Sequence, residues 1–283
     1  MSKHKLTTAP KPLDLDVRPG QSVELLKELH ILTRDGKLNL DSRRKLKQVY
    51  HLFQFIEKLL LELPASDSGP TLADHGAGKS YLGFIIYDLF FKALGQGRIY
   101  GIESRSELVA SSQALAQRLG FERMQFLNLS VAESGQSDAL PAQIDVVTAL
   151  HACDTATDDA LARGLAAGAR LLVVAPCCQH ELRPQLKAPP VLADALRHGI
   201  FQERQAEFVT DALRAQLLEW AGYRTKVFEF ISTEHTAKNL MIAAIRCREP
   251  GQPDDAVARR IREFATFYGI RHQALAARLG FSL

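Results

Sequence analysis

Short apolar segments alternate with amphipathic segments through the central part of the chain. The apolar segments predict β-strands, and the segments between them predict helices. The predicted strands are 71–74, 98–103, 124–127, 144–150 and 170–175, and the predicted helices are 80–94, 105–119 and 156–167. This alternation is typical of a parallel sheet that helices cover on both faces. Two further predicted strands, 225–231 and 239–247, are separated by a short loop and should pair as a hairpin. We therefore expect an α/β fold with a mostly parallel seven-stranded sheet that ends in an antiparallel hairpin.

Helical segments are predicted on both sides of this region. Residues 1–20 lack periodicity and are interpreted as a flexible lead, and residues 21–66 as an N-terminal helical extension. The extension contains a short helix at 22–33 and a longer one for which Asp41 is the expected N-cap. A long helical stretch is predicted between Pro176 and Gly222. Residues 249–283 are interpreted as a C-terminal helical tail, with one helix ending at Gly269 and a second short one after it.

The composition excludes several classes of protein. Of 283 residues, 46% are hydrophobic and 24% charged, which is ordinary for a globular chain. No run of about 18 apolar residues is present, so we expect no membrane span, and the N-terminus lacks the apolar core of a secretory signal. The four cysteines include an adjacent pair, which suits a disulfide framework poorly. We therefore expect a reduced, cytoplasmic protein.

Positive charge is concentrated near the N-terminus. Residues 1–48 contain 11 Lys/Arg and 6 Asp/Glu, a balance of +5, whereas the remaining chain contains 24 and 26, a balance of −2. Arg43, Arg44, Lys45 and Lys47 form a cluster within this region. A basic extension beside an α/β domain favours a polyanionic partner such as RNA. A solvated helix face explains the same charges equally well.

The segment "LADHGAGKSYLG", residues 72–83, carries a glycine-rich turn after the first predicted strand. Its Gly-Lys-Ser end matches a phosphate-binding P-loop, but the first glycine that such a loop requires falls on Ala73. A dinucleotide-binding fingerprint would need a third glycine where Tyr81 stands. Neither nucleotide motif is therefore complete.

The same turn fits S-adenosylmethionine (SAM) better. Gly76 and Gly78 let the backbone approach a ligand, and the helix that starts near Ser80 presents its N-terminus to the methionine carboxylate. Glu103 ends the second strand, where an acid accepts hydrogen bonds from ribose hydroxyls, and Asn128 follows the third strand, where an amide contacts adenine. The predicted cofactor-binding residues are Asp74, Gly76, Ala77, Gly78, Lys79, Ser80, Glu103, Ser104, Asn128, Leu129 and Leu150.

Three motifs carry a resemblance to a known family. "DHGAGKSYLG", "LHACDTATDDAL" and "APCCQHEL" resemble the motif set of a class I methyltransferase group that includes zinc-finger-bearing tRNA ribose 2′-O-methyltransferases and other methyltransferase-like proteins. The resemblance spans residues 40–247. It implies a Rossmann-like methyltransferase domain at 67–248, SAM as cofactor, and methyl transfer to a nucleophilic O or N of tRNA or rRNA.

Alternatives to an RNA acceptor stay open. A protein or small-molecule acceptor and a non-catalytic SAM-binding module fit the same motifs. The chain departs from the group in two respects: Ser80 replaces the glycine that is usual at the third motif position, and the zinc modules of the tRNA enzymes are absent. The tRNA-binding mode of those enzymes therefore does not carry over.

A second set of polar residues follows the fourth and fifth strands, which are neighbours in this fold. The set comprises His151, Cys153, Asp154, Cys177, Cys178 and His180. Removing a proton from the acceptor suits a neutral His or an ionised Asp, so the catalytic candidates are His151 first, Asp154 second and His180 third.

Three other interpretations apply to the same set. Cysteines and histidines are zinc ligands, but no CxxC pair is present, and we assign no metal from the sequence. The cysteines otherwise pack as small buried residues, with Asp154 or Thr155 capping the next helix. Cys177 as a nucleophile towards pyrimidine carbon 5 is a further interpretation.

Overall fold

A computed structural model describes residues 17–64, 66–150, 152–229, 239–248 and 254–283. The strands are β1 Thr71–His75, β2 Arg98–Glu103, β3 Met124–Asn128, β4 Val146–Ala149, β5 Leu171–Val174, β6 Tyr223–Glu229 and β7 Leu240–Arg246. The helices are α1 Val23–Glu28, α2 Leu40–Leu61, α3 Tyr81–Ile86, α4 Lys92–Leu94, α5 Ser106–Arg118, α6 Val131–Ser134, α7 Thr155–Ala166, α8 Ala193–Leu196, α9 Gly199–Trp220, α10 Asp255–Tyr268 and α11 Ala274–Arg278. A π-helical turn, Tyr87–Phe91, joins α3 to α4, and a 3₁₀ turn, Pro190–Leu192, precedes α8.

The seven strands form a single sheet in the order β3-β2-β1-β4-β5-β7-β6. Strands β1 to β5 pair in parallel, and β7 is antiparallel to both β5 and β6. The predicted α/β fold with a terminal hairpin is confirmed. The chain leaves β1 towards β2 on one side and later returns to β4 on the other. The crevice for a ligand therefore lies beyond the carboxyl ends of β1 and β4.

Apolar residues cover both faces of the sheet. Leu72 lies in a core with side chains from α1, α2, α3 and α5, whereas its neighbour Ala73 lies in a core with α7, α9, α10 and α11. The N-terminal helices belong to the first of these cores, where Leu25 and Phe53 are fully buried. The buried Asp88 accepts a hydrogen bond of 2.8 Å from the Ser22 N–H, which ties the start of α1 to the π-helical turn.

A buried charge network joins the second layer to the carboxyl edge of the sheet. Arg214 of α9 is fully buried and forms an ion pair of 2.6 Å with Asp158 of α7. It also donates to Asp211 at 3.0 Å and to the carbonyl oxygen of Asp154 at 2.8 Å. Gln273, just before α11, donates to Asp158 at 2.7 Å. The C-terminal tail is therefore anchored to the same carboxylate as the central helices.

Several sequence predictions need correction. Asn39, not Asp41, caps α2, because its side chain accepts from the Ser42 N–H at 2.7 Å. The first helix ends at Glu28 rather than extending to residue 33. His30, two residues beyond its end, has a φ of +54°, which is not helical. Residues 177–189 are not helical, and the long helix starts only at Gly199. Prolines at 184, 189 and 190 disfavour a helix in this stretch, since each lacks a backbone N–H donor.

The predicted bounds of the strands are close to the observed ones. β2 matches, and the ends of β1, β3, β4 and β5 differ by one or two residues. β6 starts two residues earlier than predicted, and its predicted end at residue 231 lies outside the described residues. Among the helices of the described ranges, none has the length and apolar character that crossing a bilayer requires.

Candidate functional site

The glycine-rich turn follows β1 at the centre of the sheet, and hydrogen bonds between buried side chains hold it in place. Asp74 is buried, and its carboxylate accepts hydrogen bonds from Thr148 of β4 at 2.7 Å and from Ser80 at 3.2 Å. Ser80 is also buried and has a φ of +51°, in the left-handed region that favours glycine. Its hydroxyl bond to Asp74 offsets this strain, which explains how a serine occupies a position where glycine is usual.

Gly83 makes room for this pair of side chains. A Cβ on Gly83 would lie 2.5 Å from the Ser80 Oγ and 3.5 Å from an Asp74 carboxylate oxygen. Neither Gly83 nor Thr148 was among the predicted site residues. Gly83 ends the segment 72–83, but its contact with Ser80 depends on how the turn folds, and Thr148 is 74 residues from its partner Asp74.

The two motif glycines line the ligand side of the turn. Gly76 and Gly78 have φ values of +63° and +58°, and a Cβ on Gly76 would meet the backbone of Ala152 at 3.3 Å. Ala77 between them is buried and donates its N–H to the Ile102 carbonyl oxygen at 3.0 Å. The turn therefore presents backbone without side chains at two points, as a cradle for a ligand requires.

Glu103 lies beside this turn at the end of β2. Its carboxylate accepts hydrogen bonds from the Gly78 N–H at 2.8 Å and from the Arg105 guanidinium at 3.0 and 3.1 Å. Although burial favours the neutral acid, the bonds from Arg105 and Gly78 lower the pKa of Glu103 to about 2. An ionised acceptor therefore stands at the predicted ribose position at every physiological pH. Arg105, which the sequence analysis missed, is 60% exposed.

The other predicted cofactor residues surround the same carboxyl edge. The Asn128 amide donates to the carbonyl oxygens of Glu103 and Ser104 at 3.1 and 2.8 Å, and the Leu129 N–H donates to the Glu103 carbonyl at 3.2 Å. Asn128 therefore braces the ends of β2 and β3. Lys79 and Ser104 are exposed, and Leu150 is partly buried.

His75, which follows Asp74 in β1, is a buried residue that the sequence analysis missed. It is fully buried, and neither ring nitrogen has a hydrogen-bond partner within the described part of the chain. Burial and the nearby positive charge of Arg163 lower the pKa of His75 to about 4. The imidazole is therefore neutral at neutral pH and is a packing element of the second core rather than a general acid.

Of the second set of polar residues, Cys153, Cys177 and Cys178 lie together beyond the ends of β4 and β5, which pair in parallel. The Sγ atoms of Cys153 and Cys177 are 3.2 Å apart, and those of Cys177 and Cys178 are 3.7 Å apart. Asp154 is half-buried, and its carboxylate accepts from the Glu181 N–H at 3.2 Å. His180 is exposed, and His151 lies outside the described residues.

Asp154 occupies the N-cap position of α7, as one interpretation predicted, but its side chain makes no capping bond there. Its φ of +51° and ψ of −122° are strained for a non-glycine residue. The Arg214 bond to its carbonyl oxygen and the Glu181 bond to its carboxylate hold this conformation. Arg214 therefore positions the turn that carries Cys153 and Asp154.

Cys177 is not a free nucleophile in this arrangement. Burial, together with its contacts to Cys153 and Cys178, raises the pKa of Cys177 to about 12. Only the thiolate attacks electrophiles or binds a metal ion, so Cys177 needs a nearby positive charge for either role.

The Ser80–Gly83 contact gives a test of how the turn is built. Gly83→Ala should destabilise the fold by about 1–3 kcal/mol, because its Cβ collides with the Ser80 Oγ. Ser80→Gly should be nearly neutral, since the left-handed φ suits glycine while a hydrogen bond is lost. In the double variant, removal of the Oγ should restore at least half of the stability lost by Gly83→Ala. Urea unfolding of the four proteins measures this coupling, and strict additivity would contradict the contact.

Comparison with known proteins supports the interpretation of the turn. A family model described as a methyltransferase domain matches residues 44–185. No curated protein shows a significant match to the sequence.

The chain is also similar in structure to solved methyltransferases. Magnesium protoporphyrin IX methyltransferase from Synechocystis PCC 6803, with bound SAH, matches at 14% identity and a TM-score of 0.46, over 79% of this chain and 93% of that chain. An rRNA methylase from Streptococcus thermophilus matches at 9% identity and a TM-score of 0.44, over 71% and 97%. The CurJ carbon methyltransferase matches at 14% identity and a TM-score of 0.46, over 80% and 66%.

The family match begins in α2, crosses the glycine-rich turn and Glu103, and ends beyond the cysteines that follow β5. It covers half of the chain. The chain therefore belongs to the methyltransferase-domain family and is an enzyme that takes its methyl group from S-adenosylmethionine.

Proposed function

We propose that this enzyme methylates RNA, at a ribose oxygen or a base nitrogen of tRNA or rRNA. The observation that carries the proposal is the +5 balance of residues 1–48 against −2 for the rest of the chain. Arg43, Arg44 and Lys47 are exposed on the first turns of α2, a helix that packs on the catalytic sheet. A basic helix fixed to a methyltransferase domain offers contacts to the phosphates of an RNA acceptor.

The cofactor half of the site is assigned to the glycine-rich turn and Glu103. When bound, SAM supplies an electrophilic methyl group on its sulfonium. Gly76 and Gly78 give backbone access, and the Glu103 carboxylate accepts from the ribose hydroxyls. Because Arg105 is exposed, its side chain is free to move aside when the hydroxyls take up those oxygens. Asp74 acts indirectly, by holding Ser80 and Thr148 and with them the shape of the turn.

Glu103→Gln tests the cofactor assignment. Loss of the charged acceptor should weaken SAM binding about 10- to 100-fold in isothermal titration calorimetry. The pKa of about 2 means that the carboxylate loses its charge only in strong acid, so its contribution to affinity should be constant between pH 5.5 and 8.5. Glu107→Gln, a change at an exposed carboxylate in the first turn of α5, should leave affinity unchanged. Wild-type affinity in Glu103→Gln would refute the ribose assignment.

The acceptor half is assigned to the rim beyond β4 and β5. We propose His151 as the group that removes the acceptor proton or orients the acceptor, with Asp154 second and His180 third. His151→Ala should slow methyl transfer by about 10²- to 10⁴-fold while SAM affinity changes little. His51→Ala, at an exposed histidine of α2, is the control and should turn over normally. Normal single-turnover rates in His151→Ala would show that His151 is structural.

The RNA acceptor is tested with radiolabelled SAM and mixed cellular RNA. Label should enter material that ribonuclease degrades and protease does not, and mass spectrometry of the digested nucleosides then identifies the modified atom. Label in protein or in small molecules instead would contradict the proposal.

A matched pair of variants tests the role of the basic helix. Arg43→Ala/Arg44→Ala should raise the KM for RNA several-fold and reduce the slope of log affinity against log salt by roughly 1.4–1.8. Arg259→Ala/Arg260→Ala removes an adjacent exposed arginine pair from α10 and should change neither. Equal effects of the two double variants would show only a general charge effect.

A further inference from the structure

Three cysteines from two chain segments direct their sulfurs to one point. Cys153 follows β4, and Cys177 and Cys178 follow β5, so the parallel pairing of these strands brings the two segments side by side. The Sγ atoms of all three lie within 4.8 Å of one another. Cys153 is exposed, and Cys177 and Cys178 are partly buried.

This spacing is the spacing of ligands around a tetrahedral zinc ion. A Zn–S bond of about 2.3 Å places two sulfurs of a tetrahedron about 3.8 Å apart. The Cys177–Cys178 separation of 3.7 Å matches that value, the Cys153–Cys177 separation of 3.2 Å is about 0.6 Å shorter, and the third pair lies within 4.8 Å. The absence of a CxxC pair is therefore no obstacle, because strand pairing supplies the third sulfur and the adjacent cysteines both turn towards it.

The backbone around the cluster is braced without any ion. Asp154 accepts a hydrogen bond from the Glu181 N–H, which links the turn after β4 to the segment after β5. The Arg214 guanidinium donates a hydrogen bond of 2.8 Å to the Asp154 carbonyl oxygen. Such supporting contacts are what orient ligands in a preformed metal site.

We propose that Cys153, Cys177 and Cys178 bind one thiophilic d¹⁰ cation of the Zn²⁺ class. Three protein ligands leave the fourth tetrahedral position open, which is the pattern of catalytic rather than structural zinc. Gly76 of the glycine-rich turn packs against the backbone of Ala152, next to Cys153, so an ion held by the three sulfurs would lie close to the proposed cofactor turn. A thiol, hydroxyl or ring nitrogen bound there is oriented towards the cofactor and loses its proton more readily.

The first test measures metal binding by the full-length protein. After anaerobic reduction and removal of metal, the protein is titrated with Zn²⁺ against a colorimetric chelator, and its metal content is measured by mass spectrometry. We expect one ion per chain. The Co²⁺ form should show thiolate-to-metal charge transfer and the intense visible bands of a tetrahedral ion. A reduced, folded protein that retains less than about a tenth of an equivalent, with no such spectrum, would overturn the proposal.

Single variants assign the ligands. Cys153→Ser, Cys177→Ser and Cys178→Ser should each lower Zn²⁺ affinity by at least about 10- to 100-fold. Cys247→Ser is the matched control, because Cys247 is an exposed free thiol whose Sγ donates to the Gly222 carbonyl oxygen. Affinity unchanged in the three variants, or lost in Cys247→Ser, would contradict the assignment. Far-ultraviolet circular dichroism confirms that each variant is folded.

A disulfide between Cys153 and Cys177 is the alternative to metal binding by these cysteines. Cys153 and Cys177 would lose two hydrogens on oxidation, which the mass of the intact chain detects. If the purified protein carries this bond, and its reduced form takes up no zinc, the cluster is a redox pair and the proposal fails. The metal measurement does not depend on the acceptor, so its failure leaves the proposed RNA methylation untouched.

Discussion

The buried guanidinium of Arg214 is the contact on which the catalytic edge depends. A charge without access to water is tolerated only when its hydrogen bonds are complete. Here they come from α7, from α9 itself and from the turn after β4, and Gln273 brings in the C-terminal tail through Asp158. Burial raises the pKa of Asp211 to about 6 even beside Arg214, because the carboxylate has little access to water. The network is complete only when all these segments are docked.

The cofactor turn has a separate support on the opposite side of β4. The Asp74 carboxylate accepts hydrogen bonds from Thr148 on the neighbouring strand and from Ser80. Gly83 has no side chain and so leaves room for Ser80 and Asp74. β4 therefore carries two supports: Thr148 for the glycine-rich turn that is proposed to bind SAM, and the following turn, strained at Asp154, for the proposed acceptor rim. A single short strand couples the positions of the two reactants, which is what a transfer reaction requires.

Local sequence patterns predicted the elements of this fold but not the contacts between them. The strands were predicted because short apolar segments alternate with amphipathic helical segments, a pattern typical of a covered parallel sheet. Asp41 was expected as the cap of α2, but Asn39, two residues earlier, is an equally good capping residue, and only the structure shows that its side chain accepts from the Ser42 N–H. Thr148, Gly83 and Arg214 escaped detection for a different reason. Thr148 and Arg214 bind Asp74 and Asp158, which are distant in sequence, and Gly83 matters only because the turn folds Ser80 and Asp74 against it.

The same distinction separates the two halves of the active site. The cofactor half uses backbone groups of one continuous turn and a carboxylate on the next strand, so a motif of a few letters identifies it. The acceptor half is assembled from side chains on two turns, with positions set by a helix that begins at Gly199. Such an assembly changes readily while the fold and the methyl donor stay the same. Under the proposed assignment, the choice of acceptor therefore depends on the residues that follow β4 and β5, and family membership constrains that choice least.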